Sequence, residues 1–131
     1  MFLDIKIALD SKLNSLSGTN IFAWENISHT PVIGTSFIRP SILYSPSSKL
    51  TLDGMQLVQG IYQIDVFFPV NKGVKDLIDK MDDIYDLFRE QILESDGTIV
   101  TITTVNSNRM TTDKAWIVGT VDVYFNCYNE V

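Results

Sequence analysis

Between Met55 and Leu93 the hydrophobic period of the chain changes once, and that change constrains the fold more than any other feature. Over Met55–Val70, Tyr62, Ile64, Val66 and Phe68 alternate with Gln63, Asp65 and Phe67. Alternation sends successive side chains to opposite sides of a strand, so one face is strongly apolar and the other mixed. Pro69, Asn71 and Gly73 end the pattern. Over Val74–Leu93, the residues Val74, Leu77, Ile78, Met81, Ile84, Tyr85, Phe88 and Ile92 instead fall on one stripe of a helix. A strand with one apolar face, followed by a helix with one apolar stripe, is satisfied by a sheet that helices cover on that face.

The remaining segments fit this plan. Phe2, Ile5, Leu9, Leu13 and Leu16 follow helical spacing and predict a helix over residues 2–16, stopped by Ser17-Gly18-Thr19-Asn20. Ile21–Trp24 and Thr35–Leu43 are rich in aromatic and β-branched residues and read as strands. Pro40 places the second of these at a sheet edge or a bulge. Ser45–Gly54 reads as a long loop, Ser95-Asp96-Gly97 as a turn and Thr98–Val105 as a strand. Asn106–Asp113 is polar and reads as a hairpin loop before a last strand, Ala115–Tyr128. The expected order is α-β-β-β-α-β-β in one domain spanning residues 1–131. The expected class is α+β: an antiparallel β-sheet with two amphipathic helices on one face.

The sequence supplies little for chemistry. Metal sites and nucleophilic catalysis need converging side chains, and with a single histidine, His29, and a single cysteine, Cys127, a zinc site would have to lean on carboxylates. His29 lies in a polar stretch and reads as an ordinary exposed histidine; Cys127 falls in the inward register of the last strand and reads as a buried thiol. Asp79, Asp82, Asp83 and Asp86 line the outer side of the second helix, the usual solvated side of such a helix. There is no Gly-rich phosphate loop and no G-x-S-x-G elbow. The expectation is a protein that is not an enzyme and holds no cofactor or metal. A net charge of −6 without any cluster of lysine or arginine argues against a grip on nucleic acid phosphates. The opening residues alternate charged and apolar groups, which predicts neither a signal peptide nor a membrane span. The lone cysteine suits a reducing compartment.

Two features point to association. Leu3 and Ile7 sit one turn apart, away from the main stripe of the first helix, where they offer a second apolar patch; covering loops would explain them equally. In Phe37-Ile38-Arg39-Pro40, Phe37 and Arg39 share one side of an expected edge strand that a partner could extend. Edge protection by Pro40 and Arg39 is the competing explanation.

Gln59-Gly60-Ile61-Tyr62-Gln63-Ile64-Asp65-Val66-Phe67-Phe68-Pro69, leading into the helix at Val74–Phe88, resembles the minor tail protein U family, the tail terminators of long-tailed phages and related prophage domains. The similarity extends to Ala23-Trp24-Glu25-Asn26, to Phe37-Ile38-Arg39-Pro40, and to the aromatic end of the last strand at Tyr124-Phe125 and Tyr128. The resemblance implies a structural virion protein that forms a hexameric ring with copies of itself. Such a ring caps the tail tube, ends tube polymerisation and offers a surface to the head-tail connector protein. It further implies a place in the virion tail, assembly in the bacterial host cytoplasm, and no membrane contact. DNA would pass through without specific binding, which the acidic charge suits. Ser48, Lys49 and Asp53 in one loop, with Asn108 and Arg109 in the other, are the expected mobile assembly loops, ordering on docking. A head-side connector or neck protein, and a small-molecule-binding α+β module, are the alternatives.

Overall fold

The computed structural model describes residues 2–45, 48–49 and 55–130, without side chains at 48, 49, 55, 56, 108–110, 113 and 128–130. Helix α1 spans Phe2–Asn14; strand β1 spans Phe37–Tyr44, β2 Ser48–Lys49 and β3 Met55–Pro69. Helix α2 spans Lys75–Phe88, followed by β4 (Ile92–Ser95), β5 (Thr98–Asp113) and β6 (Trp116–Glu130). The strands form one sheet in the order β1-β3-β6-β5-β4, with β2 paired to β3, and all pairings between them are antiparallel. The fold is the expected mixture of two helices and an antiparallel sheet, with one strand more than the sequence order gave.

The alternation in β3 resolves as its pattern requires. Val58, Gly60, Tyr62, Ile64 and Val66 are buried on one face, opposite Cys127, Phe125, Val123, Val121 and Gly119 of β6. Leu77, Met81, Ile84 and Phe88 of α2 and Ile5, Ala8, Leu9 and Leu13 of α1 pack onto this face and complete the main core. Gly119 lets α2 ride close to the sheet: a Cβ there would stand 2.3 Å from Met81 Sδ. At Gly60 a Cβ would lie 2.6 Å from the Leu43 carbonyl oxygen and 2.7 Å from the Phe125 ring. The opposite face carries the mixed residues. An apolar cluster there joins Ala23, Phe37 and Phe67 with Trp116 and Val118, and the Phe37 and Phe67 rings stack at 4.3 Å.

Four segments depart from the sequence reading; in the first, Ser48 and Lys49 of the expected Ser45–Gly54 loop pair with β3 as strand β2. Helix α2 ends at Phe88, where Arg89 leaves helical geometry and Glu90 turns left-handed at φ 58°, so Ile92 belongs to strand β4. Its helical spacing from Phe88 is coincidental. Asn106–Asp113 is not a loop: it continues β5, pairing with β6 from Asn106↔Asp122 to Asp113↔Trp116 through a register shift after Asn108. The ladder is made by backbone groups, so a polar run can join it. The reversal is instead the two residues Lys114-Ala115, with Lys114 at φ 54°. Ile21–Trp24 makes one parallel bridge, Phe22↔Ile38, rather than a strand. The Asp96-Gly97 reversal between β4 and β5 has both residues at positive φ, 49° and 81°, the geometry that favours this pair in two-residue hairpins.

Candidate assembly surfaces

The sheet has two unlike edges. In β1, Ile38 accepts from Ala23 N–H at 2.7 Å and donates to the Ile21 carbonyl at 2.8 Å, both on the side away from β3. Alternation of hydrogen-bonding direction then turns Pro40 and Ile42 outward as well. Pro40 has no N–H to offer. The Ile42 N–H donates to Glu25 Oε1 at 3.2 Å. Every outward donor from Ile38 to Ile42 is therefore used or missing. The edge that the sequence offered as a docking strand is closed by a bridge, a proline and a carboxylate.

The β4 edge is open. Ile102 N–H donates to the Gln91 carbonyl at 3.0 Å, and Ser95 pairs with Thr98 around the turn. That phase points the N–H and C=O groups of Ile92 and Glu94 away from β5. Among the described residues nothing meets them. A groove of about 470 Å³ runs between this edge and α1, lined by Ile7, Ala8, Ser11, Lys12 and Gln91–Ser95. Leu3 is 68% exposed and Ile7 43%, so the expected second apolar patch on α1 is solvent-facing and borders this groove. Ile92 is 71% exposed and Ile99, its diagonal neighbour on the open sheet face, is also exposed.

Phe37 and Arg39 do share a side, but they differ in access. Phe37 is 6% exposed, held between Phe67, the Trp116 ring edge at 5.2 Å and the His29 ring at 4.8 Å, and serves an internal stack. Arg39 is exposed, lies 4.8 Å over the Phe67 ring and reaches Asp65 at 3.4 Å. Asp65 also accepts from Thr120 Oγ1 at 2.8 Å and Gln63 Nε2 at 3.4 Å, so this corner of the open face is a fixed polar network. Ser48 and Lys49 form the short strand β2 against Leu57 and Gln56, and Asn108 lies in β5 at the register shift with Arg109 beside it. Asp53 lies outside the described residues.

His29 is half-buried rather than exposed, and its Nε2 has no hydrogen-bond partner among the described residues. Burial pushes the Cys127 thiol up from its ordinary value. Burial, and secondarily the Asp10 carboxylate to which its hydroxyl donates, push the Tyr62 phenol far above the usual range. Both groups belong to the core. Asp79, Asp82, Asp83 and Asp86 are all exposed, and Asp79 pairs with Lys75 at 2.7 Å. Among the described residues no group of three His, Cys, Asp or Glu side chains is placed to hold a metal, and no helix is long and apolar enough to cross a membrane.

The residues that sequence reasoning missed are aliphatic. Ile92 was hidden inside a helical period, and Ile27, Val32 and Ile33, among the most exposed apolar side chains, lie in a run broken by Pro31 and Gly34. The exposure of a loop isoleucine has no periodic signature to find it by.

Among the solved structures that align, one does so with a TM-score of 0.76, covering 94% of this chain and 92% of that chain at 19% identity, a likeness of fold. No curated protein matches the chain. The sequence model of the phage tail terminator protein family matches residues 4–125, nearly the whole chain. The chain therefore belongs to the phage tail terminator family, a family of structural proteins of the virion tail.

Proposed function

We propose that this protein caps the phage tail tube as a ring of identical subunits, ending tube growth and offering the head-tail connector protein a surface to join. The observation that carries this reading is the family match across residues 4–125. Supporting it is the inequality of the two sheet edges, one closed and one open. A chain whose two sides differ can associate head to tail, and such contacts close into a ring when the rotation per subunit divides a full turn. A cap ends polymerisation because one ring face complements the last tube ring while the other is not a copy of it.

The ring is hexameric in this proposal, with the tail tube protein below and the connector above. DNA crosses the centre without being held, since the chain is acidic and its basic residues are dispersed. Two measurements test this. Light scattering over a wide concentration range, with images of the largest species, is expected to show a hexamer with a central hole. Purified protein added to growing tail tubes should arrest them. Tubes that lengthen unchanged in the presence of bound rings would overturn termination and favour the connector alternative. Charge reversal of exposed acids that line the hole is expected to slow DNA passage without preventing tail formation, measured as infectivity against tail count.

A further inference from the structure

We infer that the open β4 edge and the groove beside α1 receive the segment Ser28–Ile33 of a second copy of this chain. The inference rests on the ring reading and specifies its contact. The receiving side has unpaired backbone groups at Ile92 and Glu94, with Leu3 and Ile7 exposed on the helix side and Ile92 and Ile99 on the sheet side. A strand laid against this edge alternates its side chains between those two apolar patches.

The inserting side is on the same molecule beyond the other edge of the sheet. Among the described residues, Ser28–Pro31 makes no backbone hydrogen bond. Its end exposes Val32 and Ile33, the latter 83% accessible, with Ile27 exposed just before it. The segment is also held in place: His29 packs on Phe37 at 4.8 Å, and the Thr35 N–H closes a turn onto the Val32 carbonyl at 3.0 Å. An already ordered segment loses less freedom on docking.

Area and charge select this occupant. Leu3, Ile7, Ile92 and Ile99 together expose rather more than two full aliphatic residues, and Val32 and Ile33 of the segment, with the preceding Ile27, expose about two. That is about 400 Å² of apolar surface per side, close to the apolar share of a standard interface of roughly 800 Å² per partner. The alternative of β4 pairing with β4 about a twofold axis, in the register that sets Glu94 opposite Glu94, would bring two like charges together on a four-residue strand, which destabilises a ladder. Ser28–Ile33 contains no acidic residue, so it meets Glu94 without that repulsion. Receiving and inserting surfaces at opposite sheet edges give every subunit the same two neighbours.

The test uses two variants of the full chain, Ile33→Cys and Ile92→Cys, oxidised separately and mixed at a concentration where light scattering shows assembly. Native Cys127 is buried and serves as the control background. A disulfide-linked dimer confined to the mixture is the expected result. Linkage of Ile92→Cys to itself would overturn the contact in favour of twofold pairing. Assembled rings with no linkage in the mixture would overturn this contact and leave the ring reading intact. Absence of any assembly, with tail tubes present, would overturn both. An Ile33→Asp chain is expected to weaken association by about tenfold or more while keeping its thermal midpoint.

Discussion

At the residue scale, close approach and buried protons govern stability. Gly60 sits where a Cβ would strike both a backbone oxygen and an aromatic ring, and the backbone cannot step aside as a flexible side chain can. Gly60→Ala is expected to destabilise the fold by about 1–3 kcal/mol, read from denaturant midpoints. Gly119 differs, because the obstructing atoms are the end of Met81 and the tip of Leu77. Tyr62 and Cys127 predict the alkaline limit. In the unfolded chain the thiol and phenol lose protons near their ordinary values of 9.0 and 10.0, whereas the folded groups hold theirs to higher pH. The folded state then binds more protons, so their contribution is intact below pH 9 and is lost as pH rises beyond it. Tyr62→Phe is expected to flatten the fall in stability above about pH 10, at the loss of about 1 kcal/mol at neutral pH from its hydrogen bond to Asp10. An alkaline limb equally steep in Tyr62→Phe would remove Tyr62 as a cause.

At the element scale, the closed β1 edge makes its own prediction. Pro40→Val combined with Glu25→Ala restores one outward N–H and frees another, at Pro40 and Ile42. The double variant is expected to self-associate through β1, seen as mass growing with concentration, while either single variant does so less. No change in mass would mean that the Phe22 bridge protects the edge alone. Much of this level could be read in the sequence. The Tyr62–Phe68 alternation and the Leu77, Met81, Ile84, Phe88 stripe fixed both core elements, because burial on one face leaves a period. Strand β4 could not be read, because Glu90 adopts its left-handed turn without the glycine that usually signals one. Strand β5 was cut short because Asn106–Asp113 is polar, and periodicity sees side chains rather than the ladder. The candidate surface was half legible: Leu3 and Ile7 stood off the helical stripe, but nothing in the spacing joined them to Ile92.

At the scale of the whole molecule, assembly is expected to depend on surface residues that folding does not need. Leu3→Asp with Ile7→Asp should retain the monomer's thermal midpoint yet lower the fraction of the proposed ring in light scattering, because both side chains already face solvent. A matching drop in midpoint would instead place them in the subunit's own stability. The sheet order carries a different consequence. Strand β6, which follows β5, lies between β3 and β5, and its ladder with β3 joins residues as distant as Met55 and Glu130. Until β6 inserts, β3 and β5 each present a long unsatisfied edge, and no local hairpin can satisfy both. Folding is therefore late and non-local, in the slower range for small domains. During synthesis the nascent chain carries two adhesive strands until β6 leaves the ribosome, so a period of exposure to aggregation precedes any contact with the tail.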